Sequence, residues 1–178
     1  MSIQTDIVKL QDVLNEALMN EFEAQGHSMT GKLVKDIEYV VKQEVDKITI
    51  AGMMYPYANY LASGTSASKI PFSGRTGRGG TSLYIQALKN YAKVRMGIED
   101  EKKALSVAFA IAHTQKKHGM PTPGSYKFSG TGKRTEWVGD AFKRDEGRIT
   151  EAIEQMAFNL LTVKIDTLID KWQIELNK

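Results

Sequence analysis

Apolar residues recur every three or four positions at the start of the chain: Ile3, Ile7, Leu10, Leu14, Ala17, Leu18 and Phe22. That spacing puts them on one face of a helix and leaves Lys9, Asp12 and Glu16 for the others. Thr5 or Asp6 suits the helix start and Gly26 its end. After Gly31 the period changes. Residues 36–45 are β-branched and partly alternating, and Lys47 to Met53 alternate again. This predicts two antiparallel strands over 36–54, joined near Glu44–Lys47. A helix over 32–44 is the rival reading, because Leu33, Ile37, Val40, Val41 and Glu44 also suit a helical period.

Pro56 opens a short turn or helix, Tyr57 to Ala62, which ends at Ser63-Gly64-Thr65. Residues 64–82 are rich in Gly, Ser, Thr and Arg and read as a long loop. Two helices follow. Leu83, Ile85, Leu88, Tyr91 and Val94 mark the first, which stops near Gly97. The second begins at Glu99 or Asp100 and ends at Lys116-Lys117-His118-Gly119, where bases suit a helix C-terminus. Residues 119–135 form a second breaker-rich loop. Beyond Trp137–Phe142, an apolar stripe from Ile149 to Trp172 predicts a terminal helix. It should hold roughly 30 residues and span about 45 Å. A helix of this kind offers a packing surface to the first helix or to a neighbouring subunit. The fold expected is α+β: a small antiparallel sheet packed with N- and C-terminal amphipathic helices, in one domain over 1–178. Within it, 64–136 forms a helical and loop-rich insertion.

Composition narrows the class of protein. Of 178 residues, 42% are hydrophobic and 25% charged, the balance of a soluble globular chain with room for a core. There is no cysteine, which excludes disulfides, a thiol nucleophile and thiolate metal sites. It also fits a reducing cytoplasm. Met1–Asp6 lacks the basic and apolar regions of a signal peptide. No apolar run approaches the roughly 20 residues of a membrane span. A soluble chain made in the cytoplasm, without a membrane partner, is expected.

The net charge of +3 conceals two basic segments. Residues 64–82 carry Lys69, Arg75 and Arg78, and residues 116–134 carry Lys116, Lys117, Lys127, Lys133 and Arg134. Neither contains an acid, so an acidic body carries two basic loops.

No motif supports catalysis or a cofactor. The run Gly74 to Ser82 lacks the Lys that precedes Ser/Thr in a phosphate loop, and no buried strand leads into it. His113 and His118 are five apart, which does not place two metal ligands on one helix face. There is no Gly-x-Ser-x-Gly elbow. Runs such as Glu99 to Lys103 read as solvated helix surface. Tyr55, Tyr57 and Tyr60 cluster around Pro56 and are expected to cover the core at the strand end. The chain is therefore expected to be neither an enzyme nor a cofactor carrier.

The run Met54-Tyr55-Pro56-Tyr57-Ala58-Asn59-Tyr60-Leu61-Ala62-Ser63-Gly64-Thr65 resembles a segment of tail-completion, or head–tail joining, proteins of tailed bacteriophages. In that family a Tyr-Ala-x-Tyr…Gly-Thr segment follows a β-hairpin, and a Gly-x-Leu element precedes the hairpin. Gly31-Lys32-Leu33 stands in that place here. A Pro-Phe segment and a terminal helix come next, matched by Ile70-Pro71-Phe72, or by the segment from Trp137 to Phe142, and by the last helix. The stretch 73–136 is longer than the family's usual connection. The resemblance implies a ring-forming structural protein of the virion, made in the host cytoplasm and placed at the neck. Its partners would be copies of itself, the portal or adaptor and tail proteins, and DNA in the channel. Contact residues expected from the basic loops are Lys69, Arg75, Arg78, Lys127, Lys133 and Arg134. The alternative is a non-specific nucleic-acid-binding protein that uses the same loops.

Overall fold

The spacing of apolar residues at the start of the chain folds as helix α1, Ile3–Ala24. The computed structural model describes residues 3–27, 37–44, 47–74 and 82–176. Two units divide the chain between them. The first holds Met1–Phe22, Lys32–Met54 and Val138–Lys178, and the second holds Glu23–Gly31 and Tyr55–Trp137.

In the first unit, α1 is joined by strands β1, Glu38–Gln43, and β2, Ile48–Met53. They pair antiparallel with Val41 opposite Ile50, and Glu44 N–H donates to the Lys47 carbonyl at 2.7 Å to close the hairpin. Most of helix α5, Trp137–Arg144, and all of α6, Glu146–Leu176, complete the unit. Ile7 and Leu10 on adjacent turns of α1 bury against Met156, with Leu14, Ile50 and Ala152 around them. Each such side chain contributes about 1.5–3 kcal/mol when fully buried. Polar contacts fasten the same elements. Arg144 donates to Glu21 at 2.6 Å and to the Ala17 carbonyl at 3.3 Å. Asn159 donates to the buried Asp6 carboxylate at 2.8 Å.

The expected α+β class is overturned: the chain is mainly helical. Each strand has six residues, against 31 in α6 alone, and among the described residues the strands pair only with each other. A two-stranded ribbon contributes Ile50 to the helical core but is too small to form a layer of its own. The alternation after residue 36 is a local signal, and the helical period of the remaining chain decides the class. Residues 28–36, which hold the Gly31-Lys32-Leu33 element, lie outside the described residues.

In the second unit, α2, Tyr57–Ser63, leads through a 3-10 turn, Ala67–Lys69, towards α3, Leu83–Met96, and α4, Glu101–His118. Ser82 Oγ accepts from Ile85 N–H at the start of α3, and Asp100 Oδ1 accepts from Lys103 N–H at 2.7 Å at the start of α4. Ala104, Ala108 and Ala112 form a fully buried stripe on α4. Small side chains there let α4 pack closely against its neighbours, and Ile70, Phe72 and Ile85 fill the core beside Ala108 and Ala112. Lys89 and Lys93 of α3 both grip Glu101 of α4, and these bonds pull its carboxyl down to about 2.

The two segments expected as long loops carry more structure than their composition suggested. Ile70 and Phe72 are buried anchors, and Pro123–Phe128 is a 3-10 helix. Thr65 and Met120 form an antiparallel bridge, each N–H donating to the other's carbonyl at 2.7 Å. Glycine is required on both sides of it. A Cβ on Gly119 would lie 2.5 Å from the Thr65 carbonyl oxygen, and one on Gly64 would lie 2.6 Å from that of Met120. Both glycines also have φ in the left-handed range, 79° and 74°.

Candidate functional site

Helix α6 has two halves with different surroundings. Its first half carries Met156 and Asn159, which pack against or bond to α1. From Leu161 to Leu176 every residue is exposed. This exposed half, together with Phe158 just before it, is not polar. Phe158, Leu161, Ile165, Leu168 and Trp172 are spaced three, four, three and four apart, the repeat of a helix-packing seam. Their exposures are 66, 59, 54, 52 and 64%. The same spacing continues outward to Glu154 at one end and Glu175 at the other, so an apolar strip is bracketed by two carboxylates. From 154 to 175 it spans about 31 Å at 1.5 Å per residue. An apolar surface of this extent, exposed on one helix, is the kind that marks an interaction site.

The second unit contains a cavity of about 740 Å³. Leu61, Leu88, Val107 and Ile111 line its wall, and Arg95, Arg134 and His27 bring polarity into it. No Asp or Glu is among its lining residues. Tyr60, Tyr91, Met96 and Phe128 also line it and are exposed, so its rim is apolar. Burial, and then the Arg134 charge, pull the His27 pKa down to about 4, which leaves its ring neutral near pH 7. Burial lowers the pKa of Arg134, and Arg95 adds like-charge repulsion. The cavity therefore concentrates positive charge within apolar walls.

The four expected contact residues that the structure describes do not converge on one site. Lys69 ends the short 3-10 turn and is exposed. Arg75 and Arg78 lie outside the described residues. Lys127 sets its ammonium 5.0 Å from the Phe128 ring centre. Lys133 lies in a turn where its carbonyl accepts from Ser129 Oγ at 2.5 Å. Arg134 points inward. It is half-buried, donates to the Gly26 carbonyl at 3.2 Å and lines the cavity. The tyrosines differ from expectation too: Tyr55, Tyr57 and Tyr60 are exposed, and the rings of Tyr55 and Tyr57 stack at 5.8 Å.

The apolar strip was readable only as part of a longer stripe along α6. The continuation of its three–four spacing into Glu154 and Glu175 separates it from the face that meets α1. Arg95 carried no sequence signal, because one arginine near a helix end reads as dipole compensation.

Among the described residues, no cluster of His, Asp or Glu could hold a metal ion, and no helix is long and apolar enough to cross a membrane. No protein-family model, curated protein or solved structure matches the chain.

Proposed function

We propose that this chain is a structural subunit of a tailed-phage virion, a ring-forming head–tail connector or tail-completion component at the neck. The observation that carries the assembly role is the exposed apolar strip of α6. Five large apolar side chains, each more than half exposed, cost solubility in a lone subunit and are explained by a partner that covers them. The neck assignment rests on the order of elements. Hairpin, Tyr-Ala helix, Gly-Thr turn and, after the longer stretch 73–136, the long terminal helix come in the order of the tail-completion proteins that the sequence resembles. Closed rings arise when one surface of a subunit meets a different surface of the next copy.

Mass measurement and electron microscopy of the purified full chain test this. A discrete oligomer with ring-shaped particles is expected, and antibody raised against the chain should label the neck of the tailed particles. A chain that stays monomeric at every attainable concentration and labels no particle removes the reading.

A further inference from the structure

Two unpartnered surfaces on one chain invite the question of whether they fit each other. The α6 strip is apolar with a carboxylate at each end. The cavity of the second unit is apolar with two guanidinium groups and no acid among its lining residues. Pairing of two α6 strips with each other is disfavoured. In parallel register Glu154 would face Glu154 and Glu175 would face Glu175, two like-charge layers within the seam. Antiparallel pairing of the ends brings Glu154 against Glu175, again acid on acid. The cavity offers the opposite charge.

We propose that the strip of α6 on one copy docks over the cavity of the next copy, with Trp172 as its anchor. Glu175, three residues beyond Trp172, then approaches the cationic side of the cavity, where Arg95 is exposed. A cavity of about 740 Å³ takes an indole together with a neighbouring leucine and leaves the rest of the strip on the rim of Tyr60, Tyr91, Met96 and Phe128. Large aromatic side chains in desolvated pockets are the residues that dominate such interfaces. Because strip and cavity are different surfaces, each copy keeps one of each available, and the contact propagates head to tail. This inference rests on the assembly role proposed above and names the surfaces that perform it.

The test mixes two crippled variants. One carries Leu168→Asp with Trp172→Asp and keeps its cavity. The other carries Arg95→Glu with Met96→Asp and keeps its strip. All four residues are exposed, so helicity by circular dichroism should match the parent chain. Each variant alone should be monomeric, with apparent affinity weakened about tenfold or more. Mixed, they should form a one-to-one dimer that grows no further, because only one intact strip and one intact cavity remain.

The absence of native cysteine allows a second measurement that keeps the apolar anchor Trp172 and the cavity walls. Arg95→Cys and Glu175→Cys chains, mixed, should crosslink to each other, and Glu175→Cys alone should not crosslink to itself. An Arg95→Glu, Met96→Asp variant that assembles like the parent, a mixture that stays monomeric, or a dominant 175–175 crosslink overturns the docking. In any of these cases an assembling parent chain leaves the assembly role intact, whereas a monomeric parent removes both.

Discussion

The guanidinium of Arg144, at the end of α5, donates to the buried carboxylate of Glu21 on α1 at 2.6 Å, across 123 positions of sequence. Removing the cation leaves a negative charge with a 3%-exposed residue in poor solvent. Arg144 is itself partly exposed, so the full cost of breaking a buried pair does not apply. Arg144→Met is expected to destabilise the first unit by about 2 kcal/mol, measured by urea unfolding. Adding Glu21→Gln should recover part of that loss, because the buried negative charge is then gone.

His27 supplies a pH dependence with a fixed sign. Its pKa is about 4 in the fold against an ordinary 6.5, so between these values the unfolded chain binds a proton that the folded chain does not. Its contribution to stability is therefore fully present above about 6.5 and is lost as pH falls towards 4. A histidine titration followed by NMR should give His27 a midpoint near 4. The parent chain should also lose more stability between pH 6.5 and 4 than His27→Gln does. A His27 midpoint near 6.5 contradicts the burial of this ring.

Gly119 meets the Thr65 carbonyl too closely for any side chain. Gly119→Ala must either push the bridge strands apart or leave the left-handed backbone region. Strain of this kind costs on the order of 1–3 kcal/mol before any broken bridge is counted. The thermal midpoint should fall by several degrees. Gly124→Ala, where a Cβ meets nothing within 4 Å, serves as the control and should change little.

The two tryptophans report separately on core and strip. Trp137 is fully buried and Trp172 is mostly exposed. In dilute solution, acrylamide should quench one emitting population readily and the other poorly, and Trp172→Phe should abolish the quenchable one. At assembling concentration the Trp172 emission should shift to the blue while Trp137 stays unchanged. Equal quenching of Trp172 at all concentrations would mean that it is not covered.

The ends of α3 and α4 were legible in the sequence, whereas α1 begins at Ile3, ahead of the Thr5 or Asp6 expected to start it. Ser82, Asp100 and Gly97 cap α3 and α4 as their chemistry dictates, because capping depends on groups within one turn. The long α6 was legible for the same reason. The fold class was not, since β-branched alternation near Val40 and Ile50 announces strands without saying whether a third strand will join them. Nor was the role of Arg134, whose composition-level reading as a loop cation was reversed by the Gly26 carbonyl on a distant segment. For α6 the stripe was visible, but not where α1 stops covering it. That limit is set by tertiary contacts of Met156 and Asn159.

The contacts of α1 with Arg144, Met156 and Asn159 also set an order of events on the ribosome. At roughly 5–20 residues per second, the 123 positions separating Glu21 from Arg144 take about 6–25 s to synthesise. Throughout that interval the apolar face of α1 lacks its cover from Ala152 and Met156, while the core of the second unit, from Ile70 to Ala112, is already emerging. The nascent chain thus completes its middle before its beginning, and the opening helix is the segment on which chaperones have longest to act.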